Sequence, residues 1–167
     1  MLTGARTLLT LAILALLVVL AGAWGWARLT APLPKKEPAP VCTAATVKAG
    51  DHVFPAQVTV SVLNASRREG LAGRTMSALK TGGFGAGDSG NAPKGTSVSV
   101  AQIWTSDPNS PAVALVKAWL PGVKVVHRQV AEPGVVLVVG DKFKDVGQGP
   151  KSITAAADAT ICSPALS

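Results

Sequence analysis

Twenty consecutive residues near the start, LLTLAILALLVVLAGAWGWA from Leu8 to Ala27, carry no charge and are bounded by Arg6 and Arg28. At about 1.5 Å rise per residue such a run spans a hydrocarbon core of about 30 Å. It belongs in a bilayer rather than in the core of a small domain. It also accounts for much of an apolar content of 48% and a mean hydropathy of +0.36. Ala21 and Ala23 have the small-x-small spacing of a cleavage site, so a secretory signal peptide is the competing reading. Signal-peptide apolar regions run to about 7 to 15 residues, and Trp24 and Trp26 extend this one into a belt suited to the membrane interface. A retained transmembrane helix at 8–27 is expected, after a cytoplasmic tail at 1–7.

The following segment, RLTAPLPKKEPAP at 28–40, holds prolines at 32, 34, 38 and 40 and favours extended polyproline geometry. It reads as a solvated stalk. What remains, 41–167, is one domain of roughly 125 residues. Basic residues flank the apolar run on both sides too evenly to orient it by charge alone. Cys42 stands just after the stalk and Cys162 near the end of the chain. Outside the membrane such a pair can close a bridge around nearly the whole domain, and two buried free thiols are the alternative. The domain is read as extracytoplasmic, with the bridge closed.

Within it, QVTVSVLN alternates Val58, Val60 and Val62 with Thr59 and Ser61, the signature of a strand. SRRE at Ser66 to Glu69 fits a capping box, and Leu71, Ala72, Thr75, Met76 and Leu79 then recur at helical spacing to about Thr81. Gly70 and Gly73 fall inside that expected helix, and Gly82 and Gly83 end it. A strand over Thr96 to Trp104 is expected next, then a helix capped by Ser110 with Pro111 first, burying Ala112, Leu115, Val116 and Trp119 and ended by Pro121-Gly122. A half-buried strand from Val123 to Val130 follows, and the apolar VVLVV at Val135 to Val139 reads as a central strand. Residues after Lys151 look irregular and are expected to return to the start of the domain through Cys162. The predicted fold is α/β (α+β): a small mixed sheet of four to five strands with two helices, in the order β-α-β-β-α-β-β, preceded by one transmembrane helix.

GFGAGDSG, Gly83 to Gly90, contains both G-x-G-x-x-G and G-D-S-G. A dinucleotide loop needs its glycines between a strand and a helix, and here they follow a helix. GNAPKGTS resembles a Walker loop but has Thr96 where Lys is required. A nucleophilic Ser89 would need a histidine held by an acid. His52 lacks the setting, and His127 reads as an edge-strand residue. The glycines are expected to form a flexible turn, with Asp88 and Ser89 in local turn hydrogen bonds. The acidic residues form no recognisable catalytic pair, and two histidines far from two paired cysteines make no metal set. No cofactor, metal, nucleotide or catalytic residue is expected. Residues 41–167 hold twelve Lys or Arg against eight Asp or Glu, an excess too small for nucleic acid and without aromatic interleaving. That mild charge suits acidic envelope polymers or lipid headgroups. Arg67, Arg68 and Arg74 beside Asn64 form the one candidate ligand site, where a helix start and guanidinium groups can receive a carboxylate or phosphate. A solvated, capped helix start is the plainer reading of the same residues.

The stretch VTVSVLNASRREGLAGRTMSALKTGGF resembles the LytR C-terminal domain family, LytR_C. The features that carry it are the V-x-V-L-N strand end at Val60, Val62, Leu63 and Asn64, the opening Gly70-Leu71-Ala72, and the exit through Leu79 and Gly83-Phe84. VVLVVGDKF resembles the closing strand of the family, with Lys142 inserted in its tail. After Phe84, where many members continue with an apolar strand, this chain has GAGDSGNAP, either a short edge strand or a loop in its place. The resemblance implies a role in maintaining the cell envelope and brings no catalytic residues. The expected function is a membrane-anchored, non-catalytic module that binds or organises wall components or an envelope protein partner. The alternative is an enzyme or accessory factor acting on wall glycopolymers through the Asn64 to Arg74 turn.

Overall fold

The alternating valines of QVTVSVLN do fold as a strand, but one buried on both faces. It belongs to a five-stranded sheet in a computed structural model that describes residues 2–29 and 41–165. The chain divides into two units, Met1–Pro38 and Ala39–Ser167. The first contains α1 (Leu2–Leu29), in which the 18 residues Leu9–Trp26 have a mean hydropathy of 2.2 and none of them is buried. This helix is long and apolar enough to cross a membrane, and it takes in residues 2–7, which the sequence assigned to a tail. The greater part of the expected stalk, 30–40, lies outside the described residues.

The second unit opens with two short strands, β1 (Cys42–Val47) and β2 (His52–Val53), and a single 3-10 turn at Pro55–Gln57. Then come β3 (Thr59–Asn64), α2 (Leu71–Thr81), β4 (Gly85–Asn91), β5 (Ala101–Thr105), α3 (Pro111–Trp119), β6 (Lys124–His127) and β7 (Val135–Val139). Those seven elements reproduce the expected order. They make one mixed sheet, β4-β3-β7-β5-β6, in which β3 runs parallel to both β4 and β7, and β5 runs parallel to β6 and antiparallel to β7. Each helix therefore links two neighbouring parallel strands, and the last strand is inserted between the two β-α-β units.

That position explains the apolar run VVLVV. Val135, Leu137 and Val139 pack into the main core with Leu79 of α2 and Leu115 and Val116 of α3. Val136 and Val138 turn to the other face and join Leu63, Val98 and Trp104 in a second, smaller cluster. Of the buried β3 hydroxyls on that second face, that of Thr59 makes no hydrogen bond and that of Ser61 makes two. The Ser61 hydroxyl donates to the Pro133 carbonyl at 2.7 Å and accepts the Asp88 amide at 3.0 Å.

Four expectations are corrected. First, of the two readings of GAGDSGN the edge strand holds and the flexible turn does not: it forms β4, hydrogen-bonded along β3 with a register shift between Val60 and Val62, so Asp88 bonds across strands. Glycine permits this because a Cβ on Gly87 would strike the Ser61 hydroxyl and the Val60 carbonyl. Second, the S-x-x-E capping box does not form. Helix α2 starts two residues after Glu69, capped by Gly70 at φ +68° with no side-chain bond, so Gly70 lies outside the helix. Third, β5 begins at Ala101 rather than Thr96. The carbonyls of Ser99 and Val100 instead receive the amides of Lys142 and Gly140, each at 2.8 Å, from the tail that leaves β7. Fourth, the residues after Lys151 are not irregular. They supply β8 (Ile153–Thr154), paired with β2, and β9 (Ala159–Pro164), paired with β1.

The β1-β9 ribbon is antiparallel with Ala44 opposite Cys162 and Cys42 opposite Pro164, and a disulfide joins Cys42 to Cys162 across a Cα separation of 5.4 Å. It links residues 120 apart and so fastens both ends of the domain together. In the chain-entropy description, closing a loop of that size restricts the unfolded chain by about 4 to 5 kcal/mol. Cys42→Ser/Cys162→Ser is expected to lower stability by about 3 kcal/mol or more, read as a fall in the urea midpoint. Wild-type protein unfolded without reductant is expected to show no reactive thiol, and two reactive thiols would disprove the bridge.

Candidate functional site

The turn that leaves β3 is built around Asn64. Its side-chain oxygen accepts the Ser66 amide at 2.9 Å and the Ser66 hydroxyl at 2.7 Å, while its amide nitrogen donates to the Arg68 carbonyl at 2.8 Å. The Ser66 hydroxyl in turn accepts the Arg68 amide at 3.1 Å. From the far end of the sequence, Asp141 accepts the Arg67 amide at 3.0 Å, and the Phe143 carbonyl accepts a hydrogen bond from Arg68 Nη1 at 2.6 Å. The V-L-N strand end and the G-D-K-F tail, read separately in the sequence, are thus two halves of one structure. The Phe143 ring anchors it by burial in the main core.

This divides the predicted ligand quartet. The side chains of Asn64 and Arg68 are hydrogen-bonded within the fold, and Arg68 is exposed at the surface like Arg67 and Arg74. The Asp141 carboxylate also stands at the Arg67 amide, so one of the groups an incoming anion would use already has a negatively charged partner. Ser89 and His127, the pair the G-D-S-G motif would require, lie on β4 and β6 at opposite edges of the sheet. Four inter-strand spacings of about 4.8 Å separate those edges by about 19 Å. His127 Nε2 lies 3.0 Å from the Ser106 carbonyl. Among the described residues, no group of three or more His, Cys, Asp or Glu comes together as a metal set.

A cavity of about 690 Å³ opens at the other end of α2, between Gly82 and Gly83, the Phe54-Pro55 turn, the end of α3, and the segment from Asp145 to Lys151. Its aromatic groups differ in freedom. Trp119 is held edge-on against Phe84, with ring centroids 5.3 Å apart and planes at 82°, and its indole N–H donates to the Pro150 carbonyl at 3.1 Å. Gly82 and Gly149 lie so close to the Trp119 ring that a Cβ on either would collide with it. Phe54, by contrast, is 48% exposed. Asp145 and Lys151 add one charge of each sign to the wall. Sequence reasoning placed Trp119 on the buried face of its helix and passed over Phe54, which belongs to no periodic segment. The one available signal was an isolated Phe in a chain with three Phe and no Tyr.

Residues 57–143 match the family model described as LytR cell envelope-related transcriptional attenuator. The chain belongs to the LytR_C family. The LytR_C match coincides with the five-stranded sheet, its two helices and the Arg68-Phe143 tie, and leaves out the disulfide-bonded ribbon. Among solved structures, this chain is similar to the soluble domain of a conserved hypothetical secreted protein from Mycobacterium marinum, described as an Rv2700 ortholog. The identity is 29% and the TM-score 0.50, over 62% of this chain and 79% of that one. No match is found among curated proteins. LytR_C membership and a secreted structural neighbour fit a cell-envelope protein.

Because three hydrogen bonds of the turn converge on Asn64, Asn64→Ala is expected to cost about 1 to 3 kcal/mol, measured by chemical unfolding. Arg67→Ala, at an exposed position, is expected to change stability by no more than about 0.5 kcal/mol.

Proposed function

We propose that this chain is a single-pass membrane protein of the cell envelope, with its N-terminus cytoplasmic and its domain on the outer side. There it binds or organises wall components, or an envelope protein partner, without chemical turnover. The apolar helix α1 supports the anchor, and the disulfide supports an oxidising location for the domain. LytR_C membership supports the envelope setting. The order of anchor, Pro-rich segment and single domain with flanking cysteines resembles the actinobacterial envelope integrity protein Cei.

The observation that carries the binding role is the cavity beside Phe54 and Trp119. A concave, mainly apolar surface with a locked indole, an exposed phenyl ring and a few polar groups is what ligand sites present. Locked groups lose little freedom when a ligand arrives, which favours affinity. Phe54 forms no part of the core, so it can be removed without unfolding the domain. The alternative reading, action on wall glycopolymers through an anion-binding turn, draws on the exposed Arg67 and Arg74.

The two sites separate in a pulldown of the purified full chain on isolated cell-wall polymer. Phe54→Ala is expected to reduce retention about fivefold or more, and Arg67→Ala/Arg74→Ala to leave it unchanged. The converse pattern would shift the site to the Asn64 turn. Release of any wall fragment by the wild-type chain would contradict the absence of turnover.

A further inference from the structure

The face of the sheet that carries no helix holds a second concavity, of about 360 Å³, whose chemistry is unlike that of the aromatic cavity. One wall is the loop that resembled a Walker motif. Its Pro93-Lys94-Gly95-Thr96 segment is a tight turn closed by the Thr96 amide donating to the Pro93 carbonyl at 3.1 Å, and Gly95 takes the positive φ of +83° that such a turn needs. This sets Lys94 at the exposed tip, with Thr96 and Ser97 following along the same wall. The loop is itself fixed to the sheet, because the Ala92 amide donates to the Asn64 carbonyl at 2.9 Å.

The opposite wall comes from β5 and the end of β6. The Trp104 indole is buried and donates to the Gln102 side-chain oxygen at 3.0 Å, which leaves the Gln102 amide NH₂ group as a donor. The Arg128 guanidinium lies over the Trp104 ring, 4.1 Å from its centroid, and the Arg128 backbone is held by its amide bond to the Thr105 carbonyl at 2.8 Å. Stacking holds the guanidinium in place while leaving its N–H edge free for a ligand, which is how arginine is arranged in phosphate sites. None of the residues that line this concavity is acidic.

We infer that this cleft, between the Lys94 turn and the Trp104-Arg128 stack, is a binding site for a phosphate group carried as a monoester or diester. Two cations from separate elements, two hydroxyls and a side-chain amide supply donors around one space, and phosphate oxygens match that set. The site stands on the opposite face of the sheet from the aromatic cavity and is independent of the role proposed for it. A phosphate of this kind reaches an envelope protein either in a soluble or polymeric glycerol phosphate or in a lipid headgroup.

Titration of the full chain in a maltoside detergent with glycerol 3-phosphate, by calorimetry at low salt, tests the inference. Wild-type protein is expected to bind, and Arg128→Ala and Lys94→Ala each to weaken binding about tenfold. Arg128→Lys is expected to fall close to Arg128→Ala, because the ammonium neither stacks nor forks. Added salt is expected to weaken the wild type. Lys94 is exposed at a turn tip and outside both cores, so its variant keeps the test decisive even if Arg128→Ala loosens Trp104. Dihexanoyl-phosphatidylglycerol titrated in parallel distinguishes the source: tighter binding than glycerol phosphate indicates a lipid headgroup, and equal or weaker binding a soluble or polymeric ester. Absence of binding by the wild type to both probes, or binding that both alanine variants retain undiminished, would overturn the site.

Discussion

Everything in the domain is arranged around the insertion of β7. The strand is last in the sheet to be made and stands at its centre, hydrogen-bonded to β3 on one side and β5 on the other. Without it the chain holds two separate β-α-β units with one exposed strand edge each. Its side chains complete the main core and the second cluster alike, which is why none of its five residues can be polar. The tail that follows β7 then carries Gly140, Asp141 and Phe143 into contact with the loop before β5 and the turn after β3. Non-local pairing of this kind meets its loop-closure entropy before any contact offsets it, which slows folding relative to locally paired strands.

The elements that sequence reasoning found are those whose burial follows a period. Helix α2 is marked by Leu71, Met76 and Leu79, and α3 by Leu115 and Val116; α3 starts at Pro111 and α2 ends at Thr81 as expected, whereas α2 begins at Leu71, four residues after the expected start. The ribbon strands were missed because they bury so little: Val47 is the only fully buried residue of β1, and Ile161 that of β9. No alternation can be read from one buried side chain. The capping box failed for a different reason. Asn64 and Ser66 hold the chain in a local hydrogen-bonded turn that delays the helix, a competition between side-chain and helical bonding that depends on three-dimensional neighbours.

Strand β4 shows how composition misleads in both directions. Its glycines mimic two catalytic motifs and also hide a strand, since glycine weakens strands in isolation. In context their lack of side chains is what the site requires. A Cβ on Gly85 would strike Pro164 of the ribbon, and one on Gly87 would strike Ser61 beneath it. The glycine-rich strand is accommodated by close backbone approach. The candidate sites were harder to read than the fold. The predicted arginines divide between internal ties and solvent, and the aromatic cavity draws on Phe54, Trp119 and the segment after Phe143, which lie far apart in sequence.

The register of the ribbon has a mechanical consequence. Any pull transmitted along the chain from its N-terminal side enters the ribbon at Cys42, the first residue of β1. Strands loaded from one end of a hairpin-like pair give way rung by rung, the weakest way to stress a ladder. Here the rung that meets the load first is the one that carries a covalent bond, to a partner two residues inside the end of β9. A pull that arrives there passes through sulfur into β9 before it loads the hydrogen bonds of the ribbon.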